Sequence, residues 1–192
     1  MSKPLIDIKE FASILENKIK NSTPSSAFKN EAEFETEHVI NPAWELSKIH
    51  PEIIICVHPS NSKETCHGNC EKAILDHTLR VLGCPTCWKT SKNWSMVKAY
   101  GLQHNFDLVA RDMNGKSLAV EVKWLSFSGG RGPNSEFQRF IGQCTLAAAC
   151  HDVVLGVCGI RGTREKNLDT HTLAVSQILQ RIGIRIIVLS AI

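Results

Sequence analysis

Apolar residues recur at helical spacing from Ile6 to Ile19, and a Ser/Thr/Pro stretch, Asn21-Ser22-Thr23-Pro24-Ser25-Ser26, follows as a linker. Ser25 or Ser26 is placed to cap a second helix from Ala27 to Lys48, which Pro42 should kink or restart. The inward stripe of that helix is Phe28, Ala32, Glu35, Val39, Ala43 and Leu46, so one acid sits on an otherwise apolar face. Ile53-Ile54-Ile55-Cys56-Val57 is β-branched and reads as a short strand. Residues 58–93 lose this regularity: Pro, Ser, Asn, Gly, Cys and His crowd around one helical stretch, Glu71 to Leu82.

From Met96 the pattern turns strand-like, with a run over Met96–Tyr100 and another over Phe106–Arg111. Asp112-Met113-Asn114-Gly115 supplies a hairpin turn. The return strand, Ser117 to Leu125, alternates Leu118, Val120, Val122, Trp124 on one face with Ala119, Glu121, Lys123, Leu125 on the other. A Gly/Ser/Arg loop (Ser126–Asn134) and a helix from Ser135 to about Cys150 come next. Val153–Cys158 is continuously apolar, as in a strand covered on both faces; a helix over 168–182 and a strand over Arg185–Ser190 close the chain. This order predicts an α/β fold, with an N-terminal helix and linker at 1–24 and one domain over 25–192 that carries an insertion at about 58–93.

Composition narrows the class. The chain has 192 residues, 43% of them hydrophobic and 21% charged, enough apolar material for one folded domain. No run approaches the ~18–20 apolar residues of a membrane span, and the first ten residues lack a secretory apolar region, so a cytoplasmic location is expected. Residues 1–90 are net −2 and residues 91–192 net +5, a mild bias toward a polyanionic partner in the second half.

The return strand carries the chemistry. Glu121 and Lys123 are two residues apart and share a face, and Asp107 lies across the hairpin. Two carboxylates among apolar flanks are costly to bury without a counter-ion, and Mg²⁺ suits one or two carboxylates together with water and phosphate oxygens. Such a site would activate water against a phosphodiester, with Lys123 positioning the water or countering the transition-state charge, and with Glu35 completing the shell. Glu31 and Glu37 are alternatives for the helix acid. The simplest competing reading is a surface hairpin in which Glu121 and Lys123 pair with Asp107 or Arg111.

Asn105-Phe106-Asp107, thirteen residues, then Glu121-Val122-Lys123 resembles the PD-(D/E)xK, or restriction-endonuclease-like, nuclease superfamily. The resemblance implies a mixed β-sheet flanked by helices and a Mg²⁺- or Mn²⁺-dependent deoxyribonuclease. Asp107 and Glu121 would be its metal ligands, Lys123 its catalytic cation, Glu35 its upstream helix acid and Gln143 its supporting glutamine, with Gln138 second. Phe106 replaces the name-giving proline, and Ala147 stands where an aromatic often follows the glutamine. DNA is the expected partner, with a homodimer or a larger nuclease complex as the assembly. The alternative is a non-catalytic zinc-containing module that binds nucleic acid or assembles within a defence, repair or transposition complex.

Eight cysteines in a reducing compartment argue against a disulfide framework. Cys66-x₃-Cys70-x₁₃-Cys84-x₂-Cys87 forms two short thiolate pairs at a spacing that closes on one tetrahedral Zn²⁺, a structural site with no open position. His67, or Cys56 with His58, could replace a ligand, and an iron–sulfur cluster is the other option. Arg131 in the glycine-rich loop and Arg161 and Arg164 after the apolar strand are candidate phosphate contacts. His104, close to Asp107, reads as a structural histidine near the site.

Overall fold

Along the chain run α1 (Ile8–Lys20), α2 (Glu31–Glu35), a π-helical turn (Thr36–Ile40), α3 (Asn41–Ile49), β1 (Ile54–Val57), β2 (Met96–Ala99), β3 (Leu102–Asn105), β4 (Leu108–Arg111), β5 (Ser117–Ser126), α4 (Asn134–Ala148), β6 (Val153–Arg161), α5 (174–180) and β7 (Ile184–Ser190). The computed structural model describes residues 5–24, 28, 30–57, 96–99, 102–126, 134–161 and 174–190. The expected zinc insertion, with Cys66, Cys70, Cys84 and Cys87, lies outside the described residues, as do Arg131 and Arg164.

Five strands form a mixed sheet in the order β1-β4-β5-β6-β7, with β1, β4 and β5 antiparallel and β5, β6 and β7 parallel. The two parallel steps are α/β crossovers, and β2 with β3 forms a separate antiparallel ribbon. Both sheet faces are covered. One core joins Phe11, Leu15 and Ile19 of α1 and Phe34, Val39 and Ala43 to Leu118, Val120 and Val122. The other joins Phe140, Cys144 and Ala147 of α4 to Ala119, Val154 and Cys158. The expected α/β class is therefore observed as a mixed sheet flanked by helices. Among the described residues no helix is long and apolar enough to cross a membrane.

Side-chain caps set several boundaries. Asp7 accepts from the Glu10 N–H at 2.8 Å and starts α1 at Ile8, two residues after the expected start; the Ile6 N–H goes to Glu52 Oε1 instead. α2 begins at Glu31, not Ala27, because Asn30 is its cap and accepts from the Glu33 N–H at 3.0 Å. The continuous helix expected to kink at Pro42 is interrupted one turn earlier, where the Asn41 N–H reaches back to Thr36 C=O. Pro42 lacks an N–H, and its ring crowds the carbonyl four residues back, so the widened turn absorbs a conflict that a regular helix cannot. The extra residue rotates the apolar stripe, and Phe34, His38 and Ile40 are buried along with Glu35, Val39 and Ala43.

Candidate active site

β5 is ten residues long, and β4 covers only its first half, since their ladder ends at Leu108–Val120. Beyond that point β5 runs on with β6 at one side and, among the described residues, no strand at the other, so two outward N–H groups need acceptors. Carboxylates supply both. Asp107 Oδ2 accepts from the Val122 N–H at 2.7 Å, and Glu31 Oε2 accepts from the Trp124 N–H at 3.1 Å. The protruding half of β5 thus gathers acids from two distant segments as a consequence of strand length.

Asp107 is not on a strand. The expected strand over Phe106–Arg111 begins only at Leu108; Asp107 occupies the bend where the chain leaves the β2–β3 ribbon and enters the main sheet. The bend frees its carboxylate to cap β5 rather than to stand on a sheet face. Glu121 is on β5, 2% exposed, and its Oε1 lies 2.9 Å from His104 Nε2 on β3. Glu35, also 2% exposed, comes from α2 beside the same edge, and its Oε1 has no hydrogen-bond partner among the described residues. Lys123 Nζ is 2.7 Å from Glu31 Oε2. A surface ion pair of Glu121 and Lys123 with strand neighbours is not what forms: Glu121 is buried and Lys123 is held by Glu31, while Arg111 donates to Gly115 C=O.

The acids lie within one another's fields. Burial, then the charges of Glu31 and Glu121, pushes Glu35 up to about 8. Asp107 is pushed well above the usual carboxylate range by burial and then by Glu121 and Glu35, against the Val122 N–H, which opposes the shift. Glu121 is raised chiefly by burial, with the His104 contact and Lys123 pulling the other way and Glu31 adding to the rise. The cluster must carry protons or a compensating cation.

α4 closes the opposite side. Gly156 of β6 pairs with Glu121, and a methyl there would sit 2.8 Å from Phe140 Cζ and 2.9 Å from Cys144 Sγ, so this glycine lets α4 approach beside the acid. Burial, then the charges of Glu121 and Asp107, raises the Cys144 thiol, and burial pushes Cys158 up to about 12; both are inert thiols at neutral pH. Gln143 is half-buried on the flank of the Phe140–Cys144–Ala147 row, and among the described residues it makes no hydrogen bond to the carboxylates; Gln138 is exposed. Arg161 is exposed at the end of β6, paired with Ser126 at the Lys123 end of β5. Glu37 is exposed on the π-helical turn, so α2 presents Glu31 and Glu35, one turn apart, as its acids at this edge.

As a seat for Mg²⁺ or Mn²⁺ the donor set has the required character. Among the described residues Asp107 Oδ1 and Glu121 Oε2 accept no hydrogen bond, and buried Glu35 Oε1 has no partner: hard oxygens of acids that burial and neighbouring charge have raised. Among the described residues no group of three or more His, Cys, Asp and Glu side chains is set to hold a metal ion, so Asp107 and Glu121 would have to share such an ion with water and phosphate oxygens. Sequence reasoning under-read two partners, His104 and Glu31. Hairpin register, extended past Leu108–Val120, was the signal for His104, because it brings residues just before Asp107 alongside the Glu121–Trp124 segment. No protein-family model matches the chain, and a comparison with curated proteins found no relative.

Proposed function

We propose that the chain is a Mg²⁺-dependent nuclease that hydrolyses DNA phosphodiester bonds, with a restriction-endonuclease-like core and Asp107 and Glu121 as the residues that hold the metal. The observation that carries this reading is the gathering of Asp107, Glu121 and Glu35 beside β5, all raised by burial, with the charge of Glu121 acting on both Asp107 and Glu35 and that of Glu31 on all three, on a strand whose Lys123 lies two residues beyond Glu121. A bound divalent cation supplies charge neutralisation and a water of lowered pKa. Asp107 and Glu121 would hold that cation, since each has one carboxylate oxygen that takes no hydrogen bond from the described residues. Lys123, exchanging Glu31 for the substrate, holds the attacking water or the phosphate oxygen that gains charge. Glu35, whose pKa burial raises to about 8, would be the helix acid of the site and a candidate acceptor for a water bound there. Gln143 supports the site from α4, and Arg161, with Arg131 and Arg164, neutralises backbone phosphates. Cys66, Cys70, Cys84 and Cys87 hold a structural Zn²⁺ that orders the insertion.

Asp107→Ala and Lys123→Ala proteins that cut DNA as fast as wild type would overturn this assignment; the expected loss is 10²-fold or more for each. A second reading, a non-catalytic module that binds nucleic acid or assembles within a larger complex, draws on the lack of a three-ligand group among the described residues. Metal-independent DNA binding without cleavage in Mg²⁺ or Mn²⁺ is the result that selects it.

A further inference from the structure

We propose that His104 is a positioning residue for Glu121: it holds one carboxylate oxygen so that the other is presented to the divalent cation. The proposal rests on the reading of Glu121 as a metal ligand. His104 Nε2 lies 2.9 Å from Glu121 Oε1. A carboxylate that ligates a cation is ionised and only accepts, so with the cation bound Nε2 is the donor. The imidazole is itself fixed. Its edge meets Phe106 at 5.1 Å between centroids and 79°, and Phe106 meets His151 at 5.0 Å and 86°. Two further rings thus back the donor, Phe106 directly and His151 through it, and among the described residues Glu121 has one oxygen hydrogen-bonded and one not. Glu121 gains from this restraint because it stands on the half of β5 that β4 does not cover, where no other described strand pairs on that side.

His104 also joins two parts of the molecule. It belongs to β3, where it pairs with Val97 of β2, and the β2–β3 ribbon is separate from the main sheet. The His104–Glu121 contact is therefore a direct polar link between that ribbon and the acid cluster, and whatever fixes the ribbon fixes the metal ligand. Hydrogen-bond partners of ligating carboxylates contribute about 10–100-fold to metal affinity in other sites, which sets the expected scale here.

The test is Mn²⁺ binding by the full chain, followed by calorimetry or by the electron paramagnetic resonance of the free ion, with no DNA present. His104→Phe keeps a ring against Phe106 and removes the donor; His104→Gln restores an N–H near the Nε2 position; Glu121→Gln marks the loss of the site. His104→Phe is expected to weaken Mn²⁺ about 10–100-fold with its melting temperature within a few degrees of wild type, and His104→Gln to recover to within about threefold of wild type. Wild-type affinity in His104→Phe overturns the positioning role and leaves Glu121 a ligand. A weakened affinity that His104→Gln does not recover also overturns it, since ring packing would then be what matters. Absence of any Mn²⁺ binding that Glu121→Gln removes overturns the metal-site reading itself, and this inference with it.

Discussion

Replacing Glu35 by Gln isolates the electrostatic cost of the acid cluster. Glu35 is buried, its Oε1 is unpartnered, and its pKa rises from the ordinary 4.5 to about 8. Between those values the native protein binds a proton that the unfolded chain has released, so stability falls as pH rises. The slope from one such group approaches 1.4 kcal/mol per pH unit, and the whole interval amounts to about 5 kcal/mol. Gln has the same shape and no titration. Its buried amide costs about 1–3 kcal/mol through unmade hydrogen bonds, but that cost does not depend on pH. The difference in unfolding free energy, Glu35→Gln minus wild type, is therefore expected to grow by about 2.5 kcal/mol between pH 5.5 and 7.5. The assay is urea unfolding in EDTA across that range. Buried histidines shift both curves alike and cancel in the difference. Parallel curves would refute the account, because Glu35 would then ionise as freely in the native state as in the unfolded chain.

Other consequences follow from the same contacts. Asp112 accepts from the N–H groups of Ile8, Asn114 and Lys116, tying α1 to the β4–β5 turn, so Asp112→Ala should lose on the order of 3 kcal/mol in chemical denaturation. Gly156→Ala would place a methyl 2.6 Å from Ile186 Cδ1 and against Phe140 and Cys144; a loss of about 1–3 kcal/mol is expected, read by thermal melting. Burial holds His151 down to about 4, against the pull of Asp152, so the unfolded chain takes up the proton first and stability falls as pH drops from 6.5 toward 4. His151→Phe should flatten that fall by up to ~1.4 kcal/mol per pH unit, and an unchanged acid limb would contradict the assignment.

The strand order after Asp107 was legible because periodicity and local chemistry agree there. The Asn114-Gly115 turn, the alternation of β5 and the continuous apolar run of β6 each specify one backbone state, and Gly115 adopts φ +79° as its turn requires. The charged pair on β5, Glu121 and Lys123, was legible for a related reason: charges at alternate positions of a strand otherwise fit for burial demand an explanation. Three features were hidden. The π-helical turn arises from a conflict between Pro42 and the helix preceding it, and the spacing of apolar residues records only the compromise. The break at Phe106–Asp107 and the strand over Leu102–Asn105 are set by which strand each segment pairs with, a long-range choice absent from the local pattern, in which Phe106–Arg111 reads as one run and Leu102–Asn105 as none. Glu31 lacks an apolar stripe position, and its role comes from an N–H on Trp124, 93 residues away.

The most direct test of the nuclease assignment is nicking of supercoiled DNA by wild type and Glu121→Gln, each in EDTA, Mg²⁺ and Mn²⁺, with both proteins shown to be folded. Nicking that requires the metal and falls 10²-fold or more in Glu121→Gln is the predicted result. Equal nicking by both proteins, or none by wild type in either metal while it still binds the DNA, would contradict it.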